Sequence, residues 1–233
     1  MIPLLAVVIG GLAVLYAFAV RPRMNRWGAT EEELAKTLPG DTVDPSMSPF
    51  QAELATGRRV STRAITIEAP PDEVWPWLVQ MGHDRAGFYS HDWVERLLGI
   101  RYADGQSSTR IHPEFQDLRV GDTVPYHPFN HVPVLALDRP RYFQAGERLI
   151  LEPLDDGTRT RLIARTTAGW VEPFARRVPV FGPVILPIAA AIDRGPGELL
   201  HHYMEAGMLE GLKVRAEASH GAGRAAPVAD AID

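Results

Sequence analysis

The chain has 233 residues, of which 45% are hydrophobic and 23% are charged, an ordinary composition for a globular protein. Its formal net charge of −5 argues against a nucleic-acid partner. The absence of cysteine excludes disulfides, thiolate metal sites and cysteine nucleophiles. The sequence also lacks a glycine-rich phosphate-binding motif and a G-x-S-x-G nucleophile motif. We therefore expect no cofactor and no serine-hydrolase chemistry.

The chain opens with an apolar segment, residues 2–20, which contains no charged residue, no Asn and no Gln. As an α-helix this segment would extend about 28 Å, close to the ~30 Å hydrocarbon thickness of a bilayer. Arg21, Arg23 and Arg26 follow at once, and no Lys or Arg precedes them. The positive-inside rule therefore predicts a single-pass membrane protein with a transmembrane helix in residues 1–20 and a cytoplasmic domain.

A cleaved signal peptide is the alternative interpretation of this segment. Ala17, Phe18 and Ala19 form an A-x-A sequence of the kind that signal peptidase cuts. However, the charged region that begins a signal peptide is missing, and the apolar run is long for one. We therefore favour the uncleaved anchor, with the membrane as a partner through residues 2–20.

Residues 21–57 are predicted to connect this anchor to the folded domain. Thr30 and Glu33 have the spacing of a capping box, which predicts a short helix up to about residue 37. Pro39 and Gly40 end that helix, and two further prolines predict an irregular linker. The domain itself is predicted over residues 58–218. Residues 219–233, rich in Ala, Gly and Asp, are predicted to be a disordered tail.

The domain begins with a strand that leads directly into a helix. Apolar and polar residues alternate over Arg63–Ala69, which predicts a strand. Pro70 and Pro71 cannot continue a strand ladder and favour the start of a helix. Apolar residues then recur at helical spacing, and Gly82 ends the element. Those apolar residues are Val74, Trp77, Leu78 and Met81.

The sequence of this region, APPDEVWPWLVQMG followed by GFYSHDWVERLLG, resembles the SRPBCC (START-like) superfamily, in particular its polyketide cyclase/dehydrase-like members. The resemblance implies a helix-grip fold, in which a curved antiparallel β-sheet wraps around a long C-terminal helix. It also implies an apolar cavity between sheet and helix, and hence a protein that binds hydrophobic molecules.

The rest of the chain is consistent with an α+β fold. Ser90 and Gly99 bound a second short helix, and a late helix is predicted over residues 197–218. Between them, a succession of short strands indicates an antiparallel sheet rather than alternating strands and helices. The predicted strands are Thr109–His112, Asp122–Tyr126, Val132–Leu137, Arg141–Ala145, Arg148–Pro153 and Thr158–Thr167.

An apolar segment over residues 178–192 contains three prolines and is too short and broken for a second membrane span. Two interpretations remain open. It is either a buried lid over the mouth of the cavity or a loop that lies on the bilayer surface. We slightly favour burial.

Seven aromatic and polar residues are predicted to contact the ligand. Four lie between the two helices, at the turn that borders the cavity in the resembling family, and three lie on strands or loops opposite. A lipophilic pocket combines apolar walls with a few directed polar groups, and this set supplies both. The residues are Phe88, Tyr89, His91, Trp93, His112, Tyr126 and His127.

Two other groups of residues give weaker support for a functional site. His112, His127 and His131 fall within twenty residues of one another, but their spacing matches no standard zinc pattern. We therefore predict no metal site. Arg159, Arg161 and Arg165 alternate along a strand, which indicates a face exposed to water.

The sequence thus predicts a membrane-anchored domain that binds, transfers or senses a hydrophobic, lipid-like molecule. One alternative is an enzyme of the cyclase/dehydrase type that uses His or Tyr as a general acid or base, although no catalytic residue can be assigned. Another is an interaction protein that docks through residues 178–192.

Overall fold

The computed structural model describes residues 2–41, 61–166, 188 and 190–225. The strands are β1 Ser61–Ile67, β2 Thr123–His127, β3 Asn130–Pro133, β4 Ala136–Asp138, β5 Tyr142–Ala145, β6 Glu147–Leu154 and β7 Arg159–Thr166. The α-helices are α1 Ile2–Leu15, α2 Arg21–Asn25, α3 Glu31–Ala35, α4 Pro71–Val79, α5 Asp92–Leu97 and α6 Glu198–Ala225. Two π-helical turns, Tyr16–Val20 and Asp193–Gly197, join α1 to α2 and lead into α6.

Five strands form one antiparallel sheet in the order β1-β7-β6-β5-β4, and β2 and β3 form a separate hairpin. Together with the long helix α6 they confirm the predicted α+β class with an antiparallel sheet. The predicted strand Val132–Leu137 is in fact two strands, because β3 pairs with β2 whereas β4 pairs with β5. The predicted strand Thr109–His112 is wrong. The backbone N–H of His112 donates to the Gln80 side chain at 2.9 Å instead of to a neighbouring strand.

One face of the sheet, the inner face, packs against α4 and α6. Leu149 and Leu151 of β6 and Leu162 of β7 are buried there against Leu209 and Leu212 of α6. These residues recur every second position along the strands and every third or fourth position along the helix. The hydrophobic pattern of the sequence therefore identifies the inner face correctly.

The opposite, outer face is covered in part by the segment that carries α3. Arg148 and Arg165 are completely buried on this face, and both donate to the Asp41 carboxylate, Arg148 at 2.7 Å. Arg165 also donates to the carbonyl oxygens of Glu33 and Lys36. The interpretation of this arginine stripe as facing water is therefore wrong for Arg165, because a distant part of the chain folds over it.

The capping box of α3 is confirmed. The Glu33 N–H donates to Thr30 Oγ1 at 3.2 Å, and the Thr30 N–H donates to Glu33 Oε2 at 2.7 Å. The same carboxylate accepts from Arg161 Nε at 2.7 Å. A local helix-start signal therefore also attaches the N-terminal segment to the sheet.

The predicted transmembrane helix is wrong. The α-helix α1 has 14 residues, or about 21 Å, and the following turn is π-helical. None of the helices in the described ranges is both long and apolar enough to cross a membrane. The prediction assumed that the uncharged residues 2–20 form one continuous α-helix. The π-helical turn after Leu15 interrupts that helix. Arg21 instead pairs with Glu198 of α6, with Nε 2.6 Å from Oε2. The predicted localisation, a single-pass membrane protein with a cytoplasmic domain, depended on this helix and is therefore wrong as well.

Some predictions fall on residues outside the described ranges. These are the linker over 42–57, the domain start at residue 58, most of the apolar segment over 178–192, and the tail beyond residue 225. Residues 219–225, predicted as the beginning of that tail, are the last turns of α6. This stretch contains two alanines, which favour a helix, and two glycines, which do not.

Two glycines allow α6 to approach the loop before α5 closely. A Cβ atom added at Gly211 would lie 2.0 Å from the Tyr89 carbonyl oxygen, and one at Gly207 would lie 2.8 Å from His91 Nε2. Any larger residue at Gly211 would push against main-chain atoms, which cannot rotate away. The close contact between α6 and this loop therefore requires glycine at position 211.

We predict opposite effects for the same substitution at two positions of α6. Gly211→Ala should destabilise the fold by about 1–3 kcal/mol, because the added methyl group overpacks the contact with Tyr89. Gly221→Ala should stabilise it by up to about 1 kcal/mol, because a Cβ there would meet no heavy atom of the described residues within 4 Å. Urea unfolding of both variants measures the difference, and two effects of the same sign would contradict the packing described here.

A second prediction concerns the buried arginines of the outer face. Asp41→Asn removes the charge that Arg148 and Arg165 share, and we expect it to lower the free energy of unfolding by about 3 kcal/mol. Asp138→Asn, at an exposed position of β4, is the control and should change it by less than about 0.5 kcal/mol. Equal unfolding midpoints for the two variants would show that Asp41 does not hold this face together.

Candidate functional site

A cluster of charged residues lies at one end of the inner face. Arg63 of β1 donates through NH1 to Glu205 Oε2 of α6 and at 3.0 Å to Ser61 Oγ. His201 Nε2 lies 2.9 Å from the same Glu205 oxygen. The side chains of Arg63 and Glu205 are 0% and 2% exposed. A fully buried ion pair therefore occupies a place where the rest of the face carries leucines.

Each member of this cluster continues a core-facing series. Arg63 precedes Ile65 and Ile67 at the two-residue period of β1, and Glu147 precedes Leu149 in the same way on β6. Glu205 lies one helical turn before Leu209, and His201 one turn before Glu205. The backbone therefore aims these polar side chains at the space that apolar side chains fill elsewhere. We call Arg63, Glu147, His201 and Glu205 the inner cluster.

The two carboxyl groups of the inner cluster differ in their electrostatics. Loss of hydration, with repulsion from Glu205, raises the pKa of Glu147 to about 8 against the opposing effect of Arg63. Burial also pushes the pKa of Glu205 upward, but His201 and Arg63 outweigh that effect and lower it. At neutral pH Glu147 is therefore mainly protonated while Glu205 is ionised.

Aromatic residues border the inner cluster. The rings of Phe88 and Tyr126 meet edge to face, with centroids 5.3 Å apart. The Tyr126 hydroxyl donates to the carbonyl oxygen of Ala145, two residues before Glu147. Burial, followed by the charges of Glu147 and Glu205, raises the pKa of Tyr126. Its phenol therefore stays protonated, which makes it a poor general base.

A second polar network surrounds His112, which is completely buried. Its Nε2 lies 2.7 Å from Ser108 Oγ and 3.0 Å from Asp104 Oδ2, and its Nδ1 lies 3.1 Å from Glu114 Oε1. The same Asp104 carboxylate accepts from Arg110 at 2.8 Å. This network holds the irregular loop before β2 in place.

The structure brings some of the predicted ligand-contacting residues together. Phe88 and Tyr126 touch, and Gln80 bridges Tyr89 and His112, since it donates to the Tyr89 hydroxyl at 2.7 Å and accepts from the His112 N–H. His91 stacks on Tyr203 of α6, with ring centroids 3.7 Å apart.

Trp93 and His127 lie apart from these groups. Trp93 is 66% exposed on α5, and His127 Nε2 lies 2.9 Å from the Leu98 carbonyl oxygen. The ligand role of all seven residues stays a prediction. Sequence reasoning missed the inner cluster altogether. Its only signal in the sequence was that the apolar periodicity of β1, of β6 and of α6 each continues onto a position with a charged residue.

The side chains that could hold a metal ion lie in the inner cluster, and not among the three histidines that the sequence analysis considered and rejected. Glu147, His201 and Glu205 each offer one ligand atom, and these atoms lie within 4.8 Å of one another. In the part of the chain that the structure describes, no other set of three such side chains meets this criterion. His112, His127 and His131 do not converge.

Comparison with known proteins adds little. No family model matches the chain, and no curated protein matches it. A polyketide cyclase-like protein from Corynebacterium glutamicum is similar in structure, with 14% identity, coverage of 72% of this chain and 96% of that one, and a TM-score of 0.35. CalU16 from Micromonospora echinospora is similar with 19% identity, coverage of 66% and 85%, and a TM-score of 0.26. Likenesses this weak carry no argument, so the function must follow from the side chains themselves.

We predict a specific acid sensitivity for the His112 network. Hydrogen bonds from Arg110 and then Ser108 lower the pKa of Asp104 from 3.8 to about 2. A carboxyl group whose pKa is lower in the folded state stabilises that state above its unfolded pKa, and this stabilisation is lost as the pH falls. The midpoint of urea unfolding should therefore fall between pH 4 and pH 2, and less so in Asp104→Asn.

Asp117→Asn, at an exposed position of the same loop, is the control for this titration. It should keep the acid sensitivity of the wild-type protein. If Asp104→Asn keeps that sensitivity as well, Asp104 is not held by Arg110 and Ser108 in solution.

Proposed function

We propose that the protein binds a hydrophobic, lipid-like small molecule whose polar group meets the inner cluster. Binding of this kind is the step that transfer and sensing share. The observation that carries the proposal is the buried Arg63–Glu205 pair on the core-facing side of the sheet, with Glu147 beside it.

The energetics of that pair support a functional role. Replacement of a buried ion pair by well-packed apolar residues is often neutral or stabilises a protein by about 1–4 kcal/mol. Leucines fill equivalent positions along the same face, so an apolar solution was available to this fold. Stability alone therefore does not require charges at this position, and recognition of a polar group accounts for their presence.

The surroundings of the cluster match what a lipophilic ligand needs. Small-molecule sites combine mainly apolar walls with a few polar groups that fix orientation. Here Phe88 and Tyr126 provide aromatic surface next to the charged residues. Phe88 and Tyr126 are also partly exposed rather than sealed in the core. In our proposal the apolar part of the ligand packs on this pair.

A fluorescent fatty-acid probe, cis-parinaric acid, tests the proposal. Wild-type protein should bind the probe saturably, and Phe88→Ala should weaken binding about tenfold, as expected for loss of a central aromatic contact. Phe129→Ala makes the same change at a side chain that is 93% exposed, and should leave the affinity unchanged.

Circular dichroism of both variants checks that they are folded. The absence of saturable binding by the wild-type protein would refute the proposal. Equal loss in Phe88→Ala and Phe129→Ala would place the binding site elsewhere.

A further inference from the structure

Three residues of the inner cluster form a coordination set. Glu147 opens β6, while His201 and Glu205 lie four residues apart on α6 and so point from the same side of the helix. Their nearest ligand atoms lie within 4.8 Å of one another. Ligand atoms that each lie about 2.1 Å from a tetrahedral ion are about 3.4 Å apart. Closing the set on an ion therefore needs the ligand atoms to approach one another by up to about 1.4 Å, a shift on the scale of a side-chain rotation.

An independent observation points to a missing ligand at the same place. Among the residues that the structure describes, Glu205 Oε1 has no hydrogen-bond partner, although the side chain is only 2% exposed. Arg63 and His201 both contact the other oxygen, Oε2. A buried carboxylate oxygen without a partner is unfavourable and rare in folded proteins. A cation bound at Oε1 would satisfy it and would leave the Arg63 contact intact.

The charge of the inner cluster also favours a cation. A metal ion that binds Glu147 displaces its proton. Glu147 and Glu205 then carry two negative charges against the single positive charge of Arg63. A divalent ion would relieve the repulsion between the two carboxylates. Of these two carboxylates, Arg63 donates a hydrogen bond to that of Glu205.

We infer that Glu147, His201 and Glu205 bind a divalent first-row transition metal ion. One imidazole and two carboxylates suit Zn²⁺, Mn²⁺, Fe²⁺ or Co²⁺, whereas Ca²⁺ and Mg²⁺ prefer all-oxygen sites. Three protein ligands leave at least one coordination position for water or for an oxygen atom of a small molecule. The inference does not depend on the proposed lipid ligand, because metal binding is measured without it.

Titration of the full chain with Co²⁺ tests the inference. The protein is first dialysed against a chelator, and Co²⁺ is then added while its visible absorption is recorded. We expect saturation at one ion per chain and displacement of Co²⁺ by Zn²⁺. A wild-type protein that shows no saturable absorption change, or binds Co²⁺ without defined stoichiometry, would overturn the inference.

Two ligand variants and one control locate the ion. Glu147→Gln and His201→Asn, which lie on different elements, should each weaken Co²⁺ binding at least about tenfold, the lower limit for disturbing such a site. Glu210→Gln makes the same amide substitution at an exposed position of α6, and should bind Co²⁺ like the wild-type protein.

Circular dichroism shows which variants are folded, and only folded variants are compared for Co²⁺ binding. If one ligand variant fails to fold, the other carries the test. Wild-type affinity in a folded ligand variant would overturn the assignment. Loss of Co²⁺ binding would leave cis-parinaric acid binding as a separate measurement, so the two proposals fail independently.

Discussion

Three arginines of the sheet, Arg63, Arg148 and Arg165, are completely buried, and this constraint organises the rest of the molecule. A buried guanidinium is tolerated only with a carboxylate partner and further acceptors. Asp41 meets this need on the outer face and Glu205 on the inner face. Each carboxylate lies more than 100 residues along the chain from the arginine that it pairs with. The charges of the sheet therefore attach the N-terminal segment to one face and α6 to the other.

The two faces use this pairing differently. On the outer face, one carboxylate is shared by two arginines, and two main-chain carbonyl oxygens and the Thr62 hydroxyl accept further bonds from Arg165. That arrangement closes a layer over the sheet. On the inner face, one arginine lies beside two carboxyl groups and a histidine, and Glu205 Oε1 has no hydrogen-bond partner within the described ranges. The excess of acceptors makes the inner cluster suitable for a ligand or an ion.

Local patterns predicted much of the fold. Alternation located β1, turn-separated short segments located β2, β5, β6 and β7, and the spacing of Thr30 and Glu33 located the start of α3. These signals are local, because they depend on residues that are close together in sequence. The same reasoning placed Arg165 in water and missed the inner cluster. Whether a charged side chain is buried depends on what covers it, and the covering segments lie about 50 to 140 residues away along the chain.

By itself, the sequence determined the class of the fold, the inner face of the sheet and the absence of disulfides, since each follows from composition or from short periods. Only the tertiary structure decided which charges meet. It also decided that the apolar N-terminal run is not one continuous α-helix, because hydropathy counts residues without testing helix continuity. Convergence of Glu147, His201 and Glu205 is likewise a property of three-dimensional packing between a strand and a helix that are distant in sequence.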